Sequence, residues 1–166
     1  MIDFVPLAAV DPSATEALLD RAFEPARRQR TAYKVRGDAA PVEGLSFAAR
    51  DGDALVGSVQ CWPVLFTPDA GVPVPLVMVG PVAVAPERQR DSIGRRLMDR
   101  ALAGAAAHGC DDRLVLIGDP DYYGRFFGFT AERTGAWRLP GPVDRHRLLA
   151  RGDAVPHGAG VLGPAA

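Results

Sequence analysis

The fold is decided by residues 76–97, LVMVGPVAVAPERQRDSIGRRL. The apolar run over 76–85 predicts a buried strand, and the proline that follows it ends the strand. A polar loop at 87–92 comes next, and an apolar stripe at helical spacing begins with Ile93 and Leu97. The stretch therefore predicts a strand, a tight basic loop and the N-terminus of a helix.

The predicted junction of strand, loop and helix favours the binding of an anion. The first N–H groups of a helix have no intrahelical partner, and the peptide dipoles add positive potential at that end. A cation there is unfavourable by about 0.3–1 kcal/mol, and a bound polyanion would reverse the sign. The sequence places four arginines at this end: Arg88, Arg90, Arg95 and Arg96. The alternative interpretation is a solvated arginine face on the helix.

Gly80-Pro81 interrupts the apolar strand. Proline cannot donate to a β-ladder, and glycine inside a strand often marks a bulge or a close backbone approach. A central strand broken there would splay from its neighbour, and the backbone of residues 82–84 would pair with an extended, amide-bearing ligand. The alternative is an edge strand that tolerates a proline.

The stretch resembles the cofactor motif of the GNAT superfamily of acetyl-CoA-dependent N-acetyltransferases, in which a strand precedes Gln/Arg-x-x-Gly-x-Gly/Ala and a helix. Here the six residues are QRDSIG, 89–94, and the flanking residues 82–86 and 95–98 are also typical of the family. The resemblance implies acetyl-CoA as co-substrate and no metal. Its pyrophosphate would bind backbone N–H groups of the loop, and its pantetheine amides would bind the strand. The implied cofactor-binding residues are Val82, Ala83, Val84, Arg88, Gln89, Arg90, Asp91, Ser92, Ile93, Gly94 and Arg95.

Ser92 departs from the motif, because the family usually has glycine at that position. A serine has a Cβ, so a positive φ there would be strained. Either the loop uses an ordinary φ at Ser92, or cofactor affinity is reduced. The hydroxyl is also a candidate N-cap of the helix or a donor to a phosphate.

A second motif, GDPDYYGRFFGF at 118–129, resembles the later GNAT segment in which a short helix flanks the pantetheine arm. A tyrosine on that helix often protonates the departing thiolate in the family. The family commonly places it four residues before the glycine of Gly-Phe, where this chain has Gly124, so one residue looks inserted. Alignment from residues 118–120 selects Tyr123 as the acid, with Tyr122 as the alternative. The structural alternative is that both rings are core aromatics.

A general base is not evident. Many relatives carry a glutamate on the strand before the cofactor loop, but residues 76–85 include no ionisable side chain. Glu43, Asp119 and His146 are weak substitutes, and water or an amine that arrives neutral are the other routes. Cys61 has no histidine partner evident in the sequence, so we expect a buried thiol rather than a nucleophile.

Composition narrows the class of protein. The chain has 166 residues, of which 48% are hydrophobic and 23% charged, with a net charge of −1, so a general nucleic-acid binder is not expected. It has no apolar run long enough to span a membrane and no basic leader, and its two cysteines, Cys61 and Cys110, form no disulfide framework or metal set. We therefore expect a cytoplasmic protein with no nucleic-acid or membrane partner.

The rest of the chain predicts a mixed α/β fold. We expect a first strand at 1–10 and a helix after it, capped by a capping box from Ser13. Further predicted elements are a second helix near 26–34, strands at 45–50 and 54–66 joined by an Asp-Gly turn, a helix at 93–108, and a strand at 113–117 parallel to 76–85. A last strand pair is expected within 130–139 and 146–150. The resemblance implies a largely antiparallel sheet of about six to seven strands flanked by helices, with one splayed central strand.

The sequence predicts one domain over residues 1–150 and a loosely held Gly-, Ala- and Pro-rich tail over 151–166. The implied activity is acetyl transfer from acetyl-CoA to a primary amine of a small molecule or peptide. The alternative is a non-catalytic acyl-CoA-binding sensor on the same fold. The candidate acceptor segments, 24–44, 61–75 and 133–146, are rich in arginine and poor in carboxylates, which favours an acceptor that itself bears a carboxylate. A homodimer is common in the family.

Overall fold

A computed structural model describes residues 1–165. Within these residues, four helices and eight strands follow one another, and short 3₁₀ turns connect some of them. In chain order they are β1 Ile2–Pro6, α1 Pro12–Ala22, α2 Thr31–Arg36, β2 Phe47–Asp51, β3 Ala54–Pro68, β4 Val74–Val84, α3 Ile93–Ala107, β5 Leu114–Ile117, α4 Pro120–Phe127, β6 Trp137–Arg138, β7 Leu148–Arg151 and β8 Gly160–Pro164.

The strands form one mixed sheet in the order β1-β2-β3-β4-β5-β7, with β8 paired to β3 and β6 paired to β8. Most recorded pairs are antiparallel, whereas β4 with β5 and β6 with β8 are parallel. The predicted mixed α/β fold with a largely antiparallel sheet is confirmed, with eight strands instead of six to seven.

The chain divides into two compact units, and the first comprises residues 1–28, 41–61 and 79–108. In it β1 pairs with β2, and β2 pairs with β3 across the predicted Asp-Gly turn, where Gly52 has a φ of 60°. Helix α1 is capped by Asp11, whose carboxylate accepts a hydrogen bond from the Ser13 N–H at 2.9 Å. The predicted cap at Ser13 was therefore wrong, because Asp11 and the proline after it start the helix earlier.

Helix α3 is packed against β3 within this first unit. Its buried face is Ile93, Leu97, Met98, Ala101 and Ala105. A Cβ on Gly57 of β3 would lie 2.8 Å from Ile93 Cγ2 and 2.9 Å from Leu97 Cδ1. The glycine therefore lets the first turns of the helix approach the strand closely.

The second unit comprises residues 29–40, 62–78 and the chain from 109 onward. Its core contains Trp62, Phe66, Trp137 and Leu162, and the Phe66 and Trp137 rings lie 4.3 Å apart. The predicted parallel pairing is confirmed, since Val77 of β4 is in register with Leu114 of β5. The paired residues end at Met78 of β4 and Val115 of β5. Further along β4, Gly80 has a φ of 125°, and its peptide bond to Pro81 is cis.

Three further expectations differ from the structure in whole or in part. The helix predicted near 26–34 is a 3₁₀ turn at Pro25–Gln29 and then α2, because Arg30 between them is extended. The strand expected within 130–139 is reduced to β6, which pairs with β8, and the expected contact with 146–150 is limited to an antiparallel bridge between Thr130 and Ala150 of β7. Within the predicted tail at 151–166, whose last residue lies outside the described residues, β8 pairs with β3 from Val64 to Pro68. The assignment of residues 1–150 to one domain stays a prediction.

Candidate functional site

In the first unit, the end of β4 faces the start of α3. A Cβ on Gly94 would lie 3.5 Å from Val84 Cγ2 and 3.8 Å from Val82 Cγ1. Because alternate residues of a strand share a face, both valines point toward this first turn, while Ala83 is buried with 1% of its surface exposed. The structure thus brings together the predicted strand residues and the predicted loop glycine.

The loop between them is a 3₁₀ turn at Pro86–Arg88 followed by residues 89–92. The Arg88 N–H donates to the Ala85 carbonyl at 2.8 Å, and the Asp91 N–H donates to the Arg88 carbonyl at 3.1 Å. Gln89, Arg90, Asp91 and Ser92 are exposed. Backbone hydrogen bonds therefore shape the loop and leave its side chains facing solvent.

Three ion pairs stabilise this loop. The Arg88 guanidinium donates to Asp51 at 2.7 Å and to Asp91 at 2.5 Å, and Arg21 of α1 contacts Glu87 at 2.6 Å. The hydrogen bond from Arg88 lowers the pKa of Asp51, and that from Arg21 lowers the pKa of Glu87. Arg88 and Asp91 therefore have a structural role in the loop, and their contact with a cofactor stays a prediction.

Ser92 has a left-handed backbone, a conformation that glycine, the usual residue at this position of the motif that the loop resembles, adopts without strain. Its φ is 59° and its ψ is 21°, and within residues 1–165 no side chain caps the helix that it starts. Arg96 donates its N–H to the Ser92 carbonyl at 3.1 Å. The N–H groups of 93–95 precede that first intrahelical bond, so by helix geometry they form the positive end of α3. The predicted capping role of the Ser92 hydroxyl is not seen.

Basic side chains continue along the exposed side of α3. Arg95, Arg96 and Arg100 are exposed, and the guanidinium carbons of Arg96 and Arg100 lie 4.6 and 5.3 Å from the centroid of the Phe4 ring. Stacking on Phe4 fixes these two charges beside the helix without neutralising them. The first turns of α3 thus combine a helix dipole with arginine charge, as the sequence predicts.

In the second unit, α4 holds the two candidate tyrosines. The Asp119 carboxylate accepts a hydrogen bond from the Asp121 N–H at 3.0 Å, and Gly128, at a φ of 73°, ends the helix. The Tyr122 and Tyr123 rings meet edge to face at 5.0 Å. The predicted capped short helix is confirmed, and both tyrosines are half-buried on it.

Gly118 makes room for the Tyr123 ring. A Cβ at Gly118 would lie 2.5 Å from Tyr123 Cε2 and 3.2 Å from Leu116 Cδ1. This role of Gly118 was not predicted, although a glycine directly before a capping aspartate is a sequence signal that could have indicated it. Burial raises the pKa of Tyr123 to about 12, with the nearby Tyr122 adding to the shift. Tyr123 therefore holds its phenolic proton throughout the neutral range.

Of the three weak candidates for a general base, one is a helix cap and two are exposed side chains. Asp119 is the α4 cap, His146 lies on an exposed 3₁₀ turn, and Glu43 is exposed. The Cys61 thiol is fully buried and donates to the Leu45 carbonyl at 3.3 Å, as expected of a structural cysteine. Across residues 1–165, no group of three or more His, Cys, Asp or Glu side chains is arranged to hold a metal ion. No helix in that range is both long and apolar enough to cross a membrane.

Comparison with known proteins identifies the family. The family model of the GNAT acetyltransferases matches residues 13–129, so the chain belongs to the GNAT acetyltransferase family. No curated protein matches the chain.

Two solved structures illustrate the fold. The GNAT family N-acetyltransferase YhbS from Escherichia coli, solved with CoA, shares 24% identity over 98% of this chain and 88% of that one, with a TM-score of 0.72. A GNAT family acetyltransferase from Brucella melitensis, solved with acetyl-CoA, shares 26% identity over 93% of this chain and 97% of that one, with a TM-score of 0.61.

Proposed function

We propose that this protein is an N-acetyltransferase that moves an acetyl group from acetyl-CoA to a primary amine of a small molecule or peptide. The observation that carries the proposal is the junction of β4 and α3. There Gly94 faces Val82 and Val84, and the N–H groups of 93–95 precede the first intrahelical bond. The neighbouring structures solved with CoA and acetyl-CoA support the choice of cofactor.

The residues at this junction fit a diphosphate and an amide-bearing chain. Backbone N–H groups at the α3 N-terminus would hold the pyrophosphate, with Arg90 and Arg95 adding charge. The absence of a side chain at Gly94 keeps this surface open to phosphate oxygens. Backbone groups of 82–84 would hydrogen-bond the pantetheine amides and fix the position of the reacting acyl group.

Bound acetyl-CoA supplies a thioester, whose acyl carbon bonds to the amine nitrogen as its C–S bond breaks and coenzyme A leaves as the thiol. A backbone N–H of Val84 or a neighbour is the proposed donor to the developing oxyanion. Tyr123 is the proposed acid that gives its phenolic proton to the departing sulfur, with Tyr122 as the alternative. The amine loses its proton to water, since β4 carries no ionisable side chain.

A matched pair of variants tests the proposal. We expect wild-type protein to bind acetyl-CoA in isothermal titration and to release thiol when primary amines are added. Tyr123→Phe should keep the cofactor affinity but lower kcat by about 100-fold or more, because only the proton donor is lost. Tyr122→Phe removes the same hydroxyl one residue away and should lower kcat far less. Failure to bind acetyl-CoA at millimolar concentration would refute the proposal.

A second candidate function is a non-catalytic acyl-CoA-binding sensor. The lack of any ionisable residue on β4 and the use of Asp119 as a helix cap favour it, because β4 offers no general base and the Asp119 carboxylate already accepts a hydrogen bond. This candidate predicts acetyl-CoA binding without thiol release for any amine. Amine-dependent turnover that Tyr123→Phe abolishes would eliminate it.

A further inference from the structure

The loop that joins β4 to α3 is held by one residue of the β2–β3 hairpin. The Arg88 guanidinium donates from Nη1 to Asp51 at 2.7 Å and from Nε to Asp91 at 2.5 Å. Asp51 is 37 residues from Arg88 in the chain, whereas Asp91 belongs to the loop itself. Arg88 therefore ties the loop both to itself and to a separate element of the same compact unit.

Asp51 is a well-fixed anchor because strands pair with it on both sides. It ends β2 and is in register with Ile2 of β1 and with Ala54 of β3. The amino group of Met1 lies 3.6 Å from its carboxylate as a second cation. The hydrogen bond from Arg88 lowers the pKa of Asp51, so the carboxylate is charged at neutral pH. Backbone pairing thus fixes the residue whose carboxylate Arg88 contacts.

The loop that is anchored in this way leads directly to the proposed diphosphate site. Only residues 89–92 separate Arg88 from α3. Before the loop, the Ala85 N–H donates to the Val56 carbonyl of β3 at 2.9 Å. The loop is therefore held at two points before it reaches the N–H groups of 93–95. Donors that are held in place lose less conformational freedom when an anion binds.

The charge of Asp51 and its contact with Arg88 predict opposite effects on the binding of coenzyme A. A carboxylate repels a polyanion, so by Coulomb's law Asp51 should weaken binding, or leave it unchanged where salt screens the charge. A role through Arg88 predicts that Asp51 strengthens binding, because it keeps the loop in place. The affinity of a neutral variant at position 51 therefore separates the two roles by their sign.

Resting on the proposed function, we propose that Asp51 is a positioning residue for the diphosphate of coenzyme A and acts through Arg88. Its carboxylate holds Arg88, and with it the loop before α3, in the geometry that presents the N–H groups of 93–95 to the phosphate oxygens. Asp51 lies outside both of the motifs that resemble the family, so the resemblance alone assigns it no role.

Isothermal titration with coenzyme A compares Asp51→Asn with Asp53→Asn. Asp53 lies two residues further along the same turn and is exposed, so its variant removes the same charge from the hairpin. We expect Asp51→Asn to raise Kd by roughly 3- to 10-fold, and Asp53→Asn to leave it unchanged or lower it. In thiol release, Asp51→Asn should raise the KM for acetyl-CoA with little change in kcat. A mere loss of folded protein would instead lower the apparent kcat at unchanged KM.

A double-mutant cycle tests the route through Arg88. Asp51→Asn should have little further effect on Kd when it is introduced into Arg88→Gln, whereas an effect through Met1 would survive there. Thermal stability is measured for every variant, so that a folding defect is recognised.

Three results would overturn the inference: an affinity of Asp51→Asn equal to or higher than that of wild type, an equal loss of affinity in both backgrounds, or an equal loss in Asp53→Asn. In each of these cases wild type still binds coenzyme A and the cofactor assignment stands. If wild type does not bind coenzyme A, the proposed function itself fails.

Discussion

Ser92 shows at the residue scale how one substitution in a motif is accommodated. The sequence left open whether the loop avoids a positive φ or keeps it, and the structure has a φ of 59° at this serine. The left-handed geometry that glycine would supply is therefore kept. A side chain with a Cβ is unfavourable in that region by about 1–2 kcal/mol. The departure from the motif should thus affect stability more than cofactor geometry.

We predict that Ser92→Gly raises the free energy of unfolding by about 0.5–1 kcal/mol, since the relief of strain exceeds the added entropy of glycine in the unfolded chain. Urea unfolding measures the change. Ser92→Ala is the control, because it removes the hydroxyl but keeps the Cβ, and it should give no such gain. Equal stabilisation by both variants would mean that the backbone is not the cause.

The raised pKa of Tyr123 predicts how the stability of the protein depends on pH. Its pKa is raised to about 12 by burial, against an ordinary value of about 10 in the unfolded chain. The native protein therefore keeps a proton that the unfolded chain releases in this window. Stability from this group is fully present below pH 10 and decreases as the pH rises from about 10 to 12. Urea unfolding at several pH values should show this decrease in wild type and a smaller one in Tyr123→Phe.

At the element scale, the sequence predicted the segments with strong local signals. The hairpin at 51–53, α3 and α4 have turn glycines, apolar periodicity or an aspartate cap that act within a few residues. Strand β8 lacked such a signal, because its glycine and proline residues disfavour a strand locally. Its pairing with β3 is a long-range contact that sequence periodicity cannot report.

Strand β8 can be tested with two neighbouring residues. Leu162 is fully buried opposite Phe66, whereas Val161 is 42% exposed on the other face. We predict that Leu162→Ala lowers the free energy of unfolding by about 2–5 kcal/mol, because it leaves a cavity in the core. Val161→Ala should lower the free energy of unfolding much less. Similar effects of the two substitutions in chemical unfolding would indicate that β8 does not pack as described.

At the scale of the whole molecule, the family and the cofactor could be predicted because both motifs are local in sequence. The contact of Arg36 with Trp62 could not, since these two residues are distant in the chain and meet only when α2 packs against β3. The sequence predicted that Arg88 contacts the cofactor, but it did not predict the ion pairs of Arg88 with Asp51 and Asp91, which only the structure reveals.

The central claim is that the end of β4 and the N-terminus of α3 bind coenzyme A through backbone groups. A crystal structure of the CoA complex tests this most directly. We predict that pyrophosphate oxygens lie within about 3.2 Å of the backbone nitrogens of residues 93–95, and that pantetheine runs beside residues 82–84. Coenzyme A bound elsewhere, or bound while these N–H groups contact only water or protein, would contradict the account.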